Sequence, residues 1–297
     1  MHGRIEARDR ALDAIVDRRS EVLPVATGFA FADGPFFGRL GYMLFCDPPR
    51  KRILRYSIPP WKIGPTEGKL SVHREPSDAR ALTLDHQGRL LACEGKAGRV
   101  VREELDGNVT VLASHYRGRR LGSPADLVYA IDGSIYFCDH PRRGQAARAG
   151  RSGLPRVYQI SRKGDLTMAP PDCERPLGLA LGPRQLELFV TDAARMQIRV
   201  FTIAPGGELA SSRVFSELGA ERNGKMGGIK TDEEGNVYAA GPGGVWIFDA
   251  QGRHLGSVFL TEQPSNLCWG RGGTGLYITA RRSVYYVATR VPGTRTF

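Results

Sequence analysis

The sequence lacks any apolar run near the roughly 20 residues that a membrane-spanning helix needs. Its first residues also carry no apolar stretch followed by a small-residue cleavage site. Both absences lead us to expect a soluble, cytoplasmic protein with no membrane partner. Cysteine is sparse, and Cys46, Cys93, Cys138, Cys173 and Cys268 are odd in number and form no C-x-x-C pair. That argues against a disulfide framework and against structural zinc. No G-x-S-x-G elbow, phosphate loop, dinucleotide fingerprint or H-E-x-x-H is present, which removes the common serine hydrolase, nucleotide and zinc-protease readings. Acidic charge is in deficit, with 31 Asp plus Glu against 42 Lys plus Arg, a net charge of +11. The excess is dispersed. Its densest cluster, Arg117, Arg119 and Arg120 followed by Arg142, Arg143, Arg148 and Arg151, lacks the aromatic interleaving of a single-strand nucleic-acid platform. No nucleic-acid partner is expected, and the basic surface reads as a solvated face that attracts anions.

What remains is an ordinary globular composition, 41% hydrophobic and 25% charged over 297 residues, with 37 Gly and 19 Pro that promise many turns. One short pattern recurs six times: GYMLFCD, GRLLACE, GSIYFCD, LELFVTD, GNVYAAG and TGLYITA, ending at Asp47, Glu94, Asp139, Asp192, Gly241 and Ala280. Successive endings lie 39 to 53 residues apart. Each copy is rich in β-branched and aromatic residues, as strands are, and most open on a glycine turn. A further strand follows each copy and an inner strand precedes it. SEVLPVATG near the amino end supplies the outer strand of the last unit. Four strands per unit and six units predict an all-β, six-bladed β-propeller over residues 21–297. Residues 1–20 place Ile5, Leu12, Ile15 and Val16 roughly on one helical face, which predicts an amphipathic surface helix.

Neighbouring strands of a blade run antiparallel, so the starts of the six inner strands and the six repeat endings share one face, where the central channel opens. A concave place with converging polar groups is the expected ligand site. The acidic endings also admit a structural reading, in which they accept backbone N–H groups of the adjoining turn. The long loop 141–154, rich in Gly, Ala and Arg, reads as a lid or a partner contact on this face.

The segments from Ala81 to Asp139, from Arg175 to Asp192 and from Gly227 to Ser257 resemble the senescence marker protein/gluconolactonase family of six-bladed propellers. The likeness extends from about Ala26 to Val287. It implies a lactonase with one divalent cation, calcium, zinc or magnesium, on the channel axis, held by a Glu, two Asn and an Asp from E-G-P, P-N-D, P-N-G and P-D-G motifs. At the corresponding places this chain has Asp33-Gly34-Pro35, Pro124-Ala125-Asp126, Pro176-Leu177-Gly178 and Met226-Gly227-Gly228. Three of the four donors are replaced, by Ala125, Leu177 and Gly227. The substrate-reading Arg-x-Asn of the family becomes Asp78-Ala79-Arg80.

The expectation is therefore a small-molecule enzyme, hydrolytic or ring-opening on a lactone or ester, with no metal cofactor. Arg80, Arg175 and Lys225 would replace the cation's charge and hold an anionic or carbonyl-bearing substrate. Ala125, Leu177 and Asn266 would line the site. Asp33, Asp126, Glu94 and His140 are the candidate proton-transfer groups. A divalent cation is the alternative cofactor. A non-catalytic propeller that binds a small ligand or protein, and a metal-independent lyase or isomerase, are the alternative functions. The chain is expected as a monomer or a homo-oligomer.

Overall fold

The repeat endings form strands because their residues alternate between two buried faces. In Tyr42–Asp47, Met43 and Phe45 pack toward one neighbouring sheet while Leu44 and Cys46 pack toward the other. A strand covered on both faces reads as a continuous apolar run, as these copies do. The computed structural model describes residues 2–38, 40–59, 64–141, 156–219, 224–270 and 272–294.

Six antiparallel sheets follow the predicted order. From the axis outward, the first blade holds Asp33–Gly38, Tyr42–Asp47, Arg52–Ser57 and Lys69–Arg74. The second holds Ala79–Leu84, Leu90–Glu94, Arg99–Glu103 and Val109–Ala113. The third and fourth begin with Ser123–Tyr129 and Pro176–Leu181. The fifth begins with Ile229–Thr231 and the sixth with Pro264–Trp269. Leu23–Thr27 pairs with Ser283–Ala288 and completes the sixth blade, so the two chain ends close the ring. The hydrophobic core is divided into six clusters, one between each pair of adjacent blades. Cys46, Cys93 and Cys138 lie inside these clusters, and all five cysteines are buried free thiols. No described helix is long and apolar enough to cross a membrane.

The amino-terminal segment differs from the helix expected over residues 1–20. Gly3–Ala7 is a strand that pairs with His254–Leu260 as a fifth strand of the fifth blade, and the helix shrinks to Leu12–Ile15. The physical reason is length and partner. A helix this short cannot stand alone in water, whereas the free edge of the fifth blade offers backbone partners to residues 3–7. The apolar residues are nevertheless the expected ones, for Leu12, Ile15 and Val16 are buried between the fifth and sixth blades. Leu12 is 0% exposed. Leu12→Ala is expected to cost about 2–5 kcal/mol, because it leaves a cavity where two blades meet. A denaturant melt of the variant measures this, and a loss under about 1 kcal/mol would show that the segment does not tie the ring together.

Candidate functional site

Five of the six inner strands carry a register break near their start. The breaks fall between Asp33 and Phe36, Ala79 and Ala81, Pro124 and Asp126, Pro176 and Leu179, and Pro264 and Asn266. A bulge inserts an unpaired residue and re-aims its side chain, and bulges gather at barrel rims and sites. Arg80, Ala125 and Ser265 are the bulged residues, and Leu177 lies within the corresponding break. The mouth of the channel is thus built by one device used five times.

Glycine permits the close approach at the hub. Gly34 has φ +52°, and a Cβ there would come 2.1 Å from the Arg80 carbonyl oxygen. A Cβ on Gly227 would come 2.1 Å from the Ser265 carbonyl oxygen. Both positions are closed to a side chain by neighbouring backbone.

A cavity of about 880 Å³ occupies the mouth and is lined by Asp78, Arg80, Lys96, Ser123, His140 and Arg175, with Leu177 among its apolar residues. Asp33 opens the first inner strand beside the backbone of Arg80. Its Oδ1 accepts the Gly34 N–H at 2.9 Å. Some of its surface remains accessible, but protein surrounds the rest, and this desolvation pushes its carboxyl up to about 6 against the pull of Arg80. His140 moves the other way, down to about 4, because burial and the Arg175 and Arg80 guanidiniums disfavour imidazolium. Its ring is hydrogen-bonded to the Pro176 backbone, and Nε2 is buried with no partner among the described residues. At neutral pH the mouth therefore offers the Arg80 and Arg175 guanidiniums and a neutral imidazole, with Lys96 and Asp78 also on its lining and the Asp33 carboxyl beside Arg80.

Below the mouth the channel narrows to about 60 Å³ between Phe36, Leu82, Val128, Leu181 and Trp269. Asp126, Asn266 and Lys230 bring polar groups to its lining. Asp126 Oδ2 accepts the Leu179 N–H at 3.0 Å, tying the third blade to the fourth. Asn266 Nδ2 lies 3.5 Å from Asp126 Oδ1. Burial raises the Asp126 carboxyl above the ordinary range.

The acidic strand endings serve the fold. Asp47 accepts the Phe31 N–H at 3.1 Å, Asp139 the Gly122 N–H at 2.9 Å, and Asp192 those of Glu174 and Arg175 at 2.8 and 3.0 Å. Each carboxylate pins the turn that leads into its own inner strand. Asp192 in this way also sets the backbone from which Arg175 projects.

Of the residues expected at the site, Arg80, His140, Arg175 and Leu177 line the mouth, and Asp33 opens the first inner strand beside Arg80 without lining the cavity itself. Asp126 and Asn266 sit one layer beneath it. Ala125 is buried in the cluster between the third and fourth blades. Glu94 does not line the cavity; Arg99, directly opposite on the adjoining strand, binds it at 2.6 Å. Lys225 is exposed on the turn before the fifth inner strand and does not line the mouth either. Residues 142–154 of the Arg-rich loop lie outside the described residues. Sequence reasoning missed Lys96, Ser123 and Lys230. Only Lys230 had a signal, a charge inside a strand whose one face must line the channel.

Of the four positions where the resemblance implies cation ligands, one carries an oxygen-donor side chain. Asp33 brings a carboxylate, Ala125 and Leu177 bring hydrocarbon, and Gly227 has no room for a donor. Among the described residues no three His, Cys, Asp or Glu side chains come together as a metal-binding group. Calcium asks for six to eight oxygens.

Comparison with known proteins agrees with this scaffold. A family model described as the SMP-30/Gluconolactonase/LRE-like region matches residues 31–282. A gluconolactonase of Zymomonas mobilis is 27% identical over 318 aligned residues, which cover 98% of this chain and 87% of that one. A solved gluconolactonase of Xanthomonas campestris superposes with a TM-score of 0.82 at 24% identity, covering 97% of this chain and 95% of that one. A calcium-binding protein of Agrobacterium tumefaciens, regucalcin, superposes with a TM-score of 0.76 at 16% identity, covering 94% and 96%. With the family model spanning all but the ends, the chain belongs to the SMP-30/gluconolactonase/LRE-like family of six-bladed propellers.

Proposed function

We propose that this protein is a hydrolase that opens a lactone or ester of a small anionic molecule at the channel mouth, without a metal ion. The observation that carries this reading is the placing of Arg80 and Arg175 around His140, beside Asp33. The guanidiniums hold the substrate's anionic group and carbonyl oxygen by charge-assisted hydrogen bonds. Asp33 takes a proton from water as the water oxygen bonds to the carbonyl carbon. The developing oxyanion is stabilised by Arg80. When the ring C–O bond breaks, Asp33 returns the proton to the leaving oxygen, so water plus lactone gives a hydroxy acid. His140, neutral at working pH, lines the mouth between the two arginines and packs against the bound substrate. Five buried free thiols support a reducing compartment, the cytoplasm.

Turnover of a panel of anionic and neutral lactones and esters tests the reading. Activity is expected to survive removal of divalent ions by a chelator within about twofold. Loss of activity in chelator, with recovery on adding calcium or zinc, would overturn the metal-free mechanism. Tight binding of an anionic lactone with no turnover would establish a binding propeller instead.

A further inference from the structure

Two carboxylates share the hub, partly buried Asp33 beside Arg80 and buried Asp126 deeper in the channel, and the Asp126 charge disfavours that of Asp33. Burying an uncompensated carboxylate is costly, so a hub with two of them needs positive charge nearby. The mouth side supplies Arg80, whose backbone packs on Gly34 next to Asp33. The channel side supplies a second cation that sequence and family reasoning both overlook. Lys230 is the middle residue of Ile229–Thr231 and lines the same narrow cavity as Asp126, Asn266 and Gly34. Its ammonium donates to the Ile229 carbonyl at 2.9 Å, which folds the side chain back along its own strand. Burial is the main influence on Asp126, and Lys230 is the strongest one acting against it.

We infer that Lys230 is a positioning residue: with Arg80 it supplies the two positive charges that hold Asp33 and Asp126 together in a hub where the cation's ligands are gone. This inference shares the metal-free hub of the proposed function but requires no reaction there. Lys230 and Asp126 line one cavity from the fifth and third blades, and Lys230 acts through its charge, so arginine at this position is a substitute and methionine is not.

The test is thermal melting without substrate, which separates its failure from any failure of the catalytic reading. Lys230→Met is expected to lower the melting temperature by about 5 °C or more at pH 7.5. Asp126→Asn keeps the acceptor for the Leu179 N–H and removes the charge, so in the Lys230→Met background it is expected to recover most of that loss. Lys230→Arg is expected to melt close to wild type. If Lys230→Met does not yield soluble protein, the double variant is expected to do so. The wild-type melt is expected to be the same in chelator and in millimolar calcium. An unchanged melt for Lys230→Met, a double variant no better than the single one, or a rise of several degrees with calcium would each overturn the inference.

Discussion

Asp33→Asn is expected to lower turnover by about 10²–10⁴-fold, the usual contribution of a positioned proton-transfer group, and at the same time to raise stability at neutral pH. The sign follows from linkage. The Asp33 carboxyl is pushed up to about 6 in the folded chain, mainly by desolvation, from an ordinary value of 3.8. Between those two values the folded state holds a proton that the unfolded state has released, so stability falls as pH rises through this window. Above pH 6 the shift amounts to a penalty of about 2–3 kcal/mol. Asparagine removes the charge and with it the penalty. The variant and the wild type should therefore melt alike near pH 3.5, and the variant should melt higher at pH 7.5. Turnover of the wild type should rise as pH passes through about 6, because the base form of Asp33 in the folded chain is the working form. A variant that keeps its activity, or loses activity and stability together at pH 7.5, would show that Asp33 holds structure and does no proton transfer.

Much of this architecture can be read from the chain without coordinates, and the part that cannot has a common cause. The strands ending at Asp47, Glu94, Asp139, Asp192, Gly241 and Ala280 are legible because both their faces are buried, which leaves an unbroken apolar run beside a turn. The face that carries the mouth follows from strand direction, so Arg80, His140 and Leu177 could be placed on it. Long-range partners leave no local trace. Gly3–Ala7 becomes a strand because His254–Leu260, some 250 residues away, offers it a free edge. Spacing alone at Ile5, Leu12, Ile15 and Val16 suits a helix equally well. Bulges are equally silent, yet they decide that Arg80 faces the hub while Lys225, beside another inner-strand opening, stays outside it. Glu94 finds its partner Arg99 through hairpin register, which spacing does not display, and Lys230 shares a cavity with Asp126 only because another blade brings it there.

Arg80→Ala and Arg175→Ala carry the largest expected effect on substrate binding. Hydrogen bonds to charged groups contribute about 1.5–3 kcal/mol, so each change should raise KM for an anionic substrate by about 10–100-fold. Neutral analogues should be affected much less. The two arginines differ in depth, for Arg80 is half-buried against the Asp33 strand while Arg175 is exposed at the rim. Salt screens exposed charges most strongly, so ionic strength should weaken the Arg175 contribution first. In the double variant KM should hardly respond to salt. Arg80 also faces the reacting carbonyl, so Arg80→Ala should lower kcat as well as raise KM, whereas Arg175→Ala should act on KM alone. Burial is the main cause that holds His140 down to about 4, and removing either guanidinium relieves one of the two charges that add to it. The imidazole should then titrate at higher pH, a shift that NMR of the ring protons would follow. Equal loss for neutral and anionic substrates, or no movement of the His140 titration, would mean that these arginines do not act together on one bound anion.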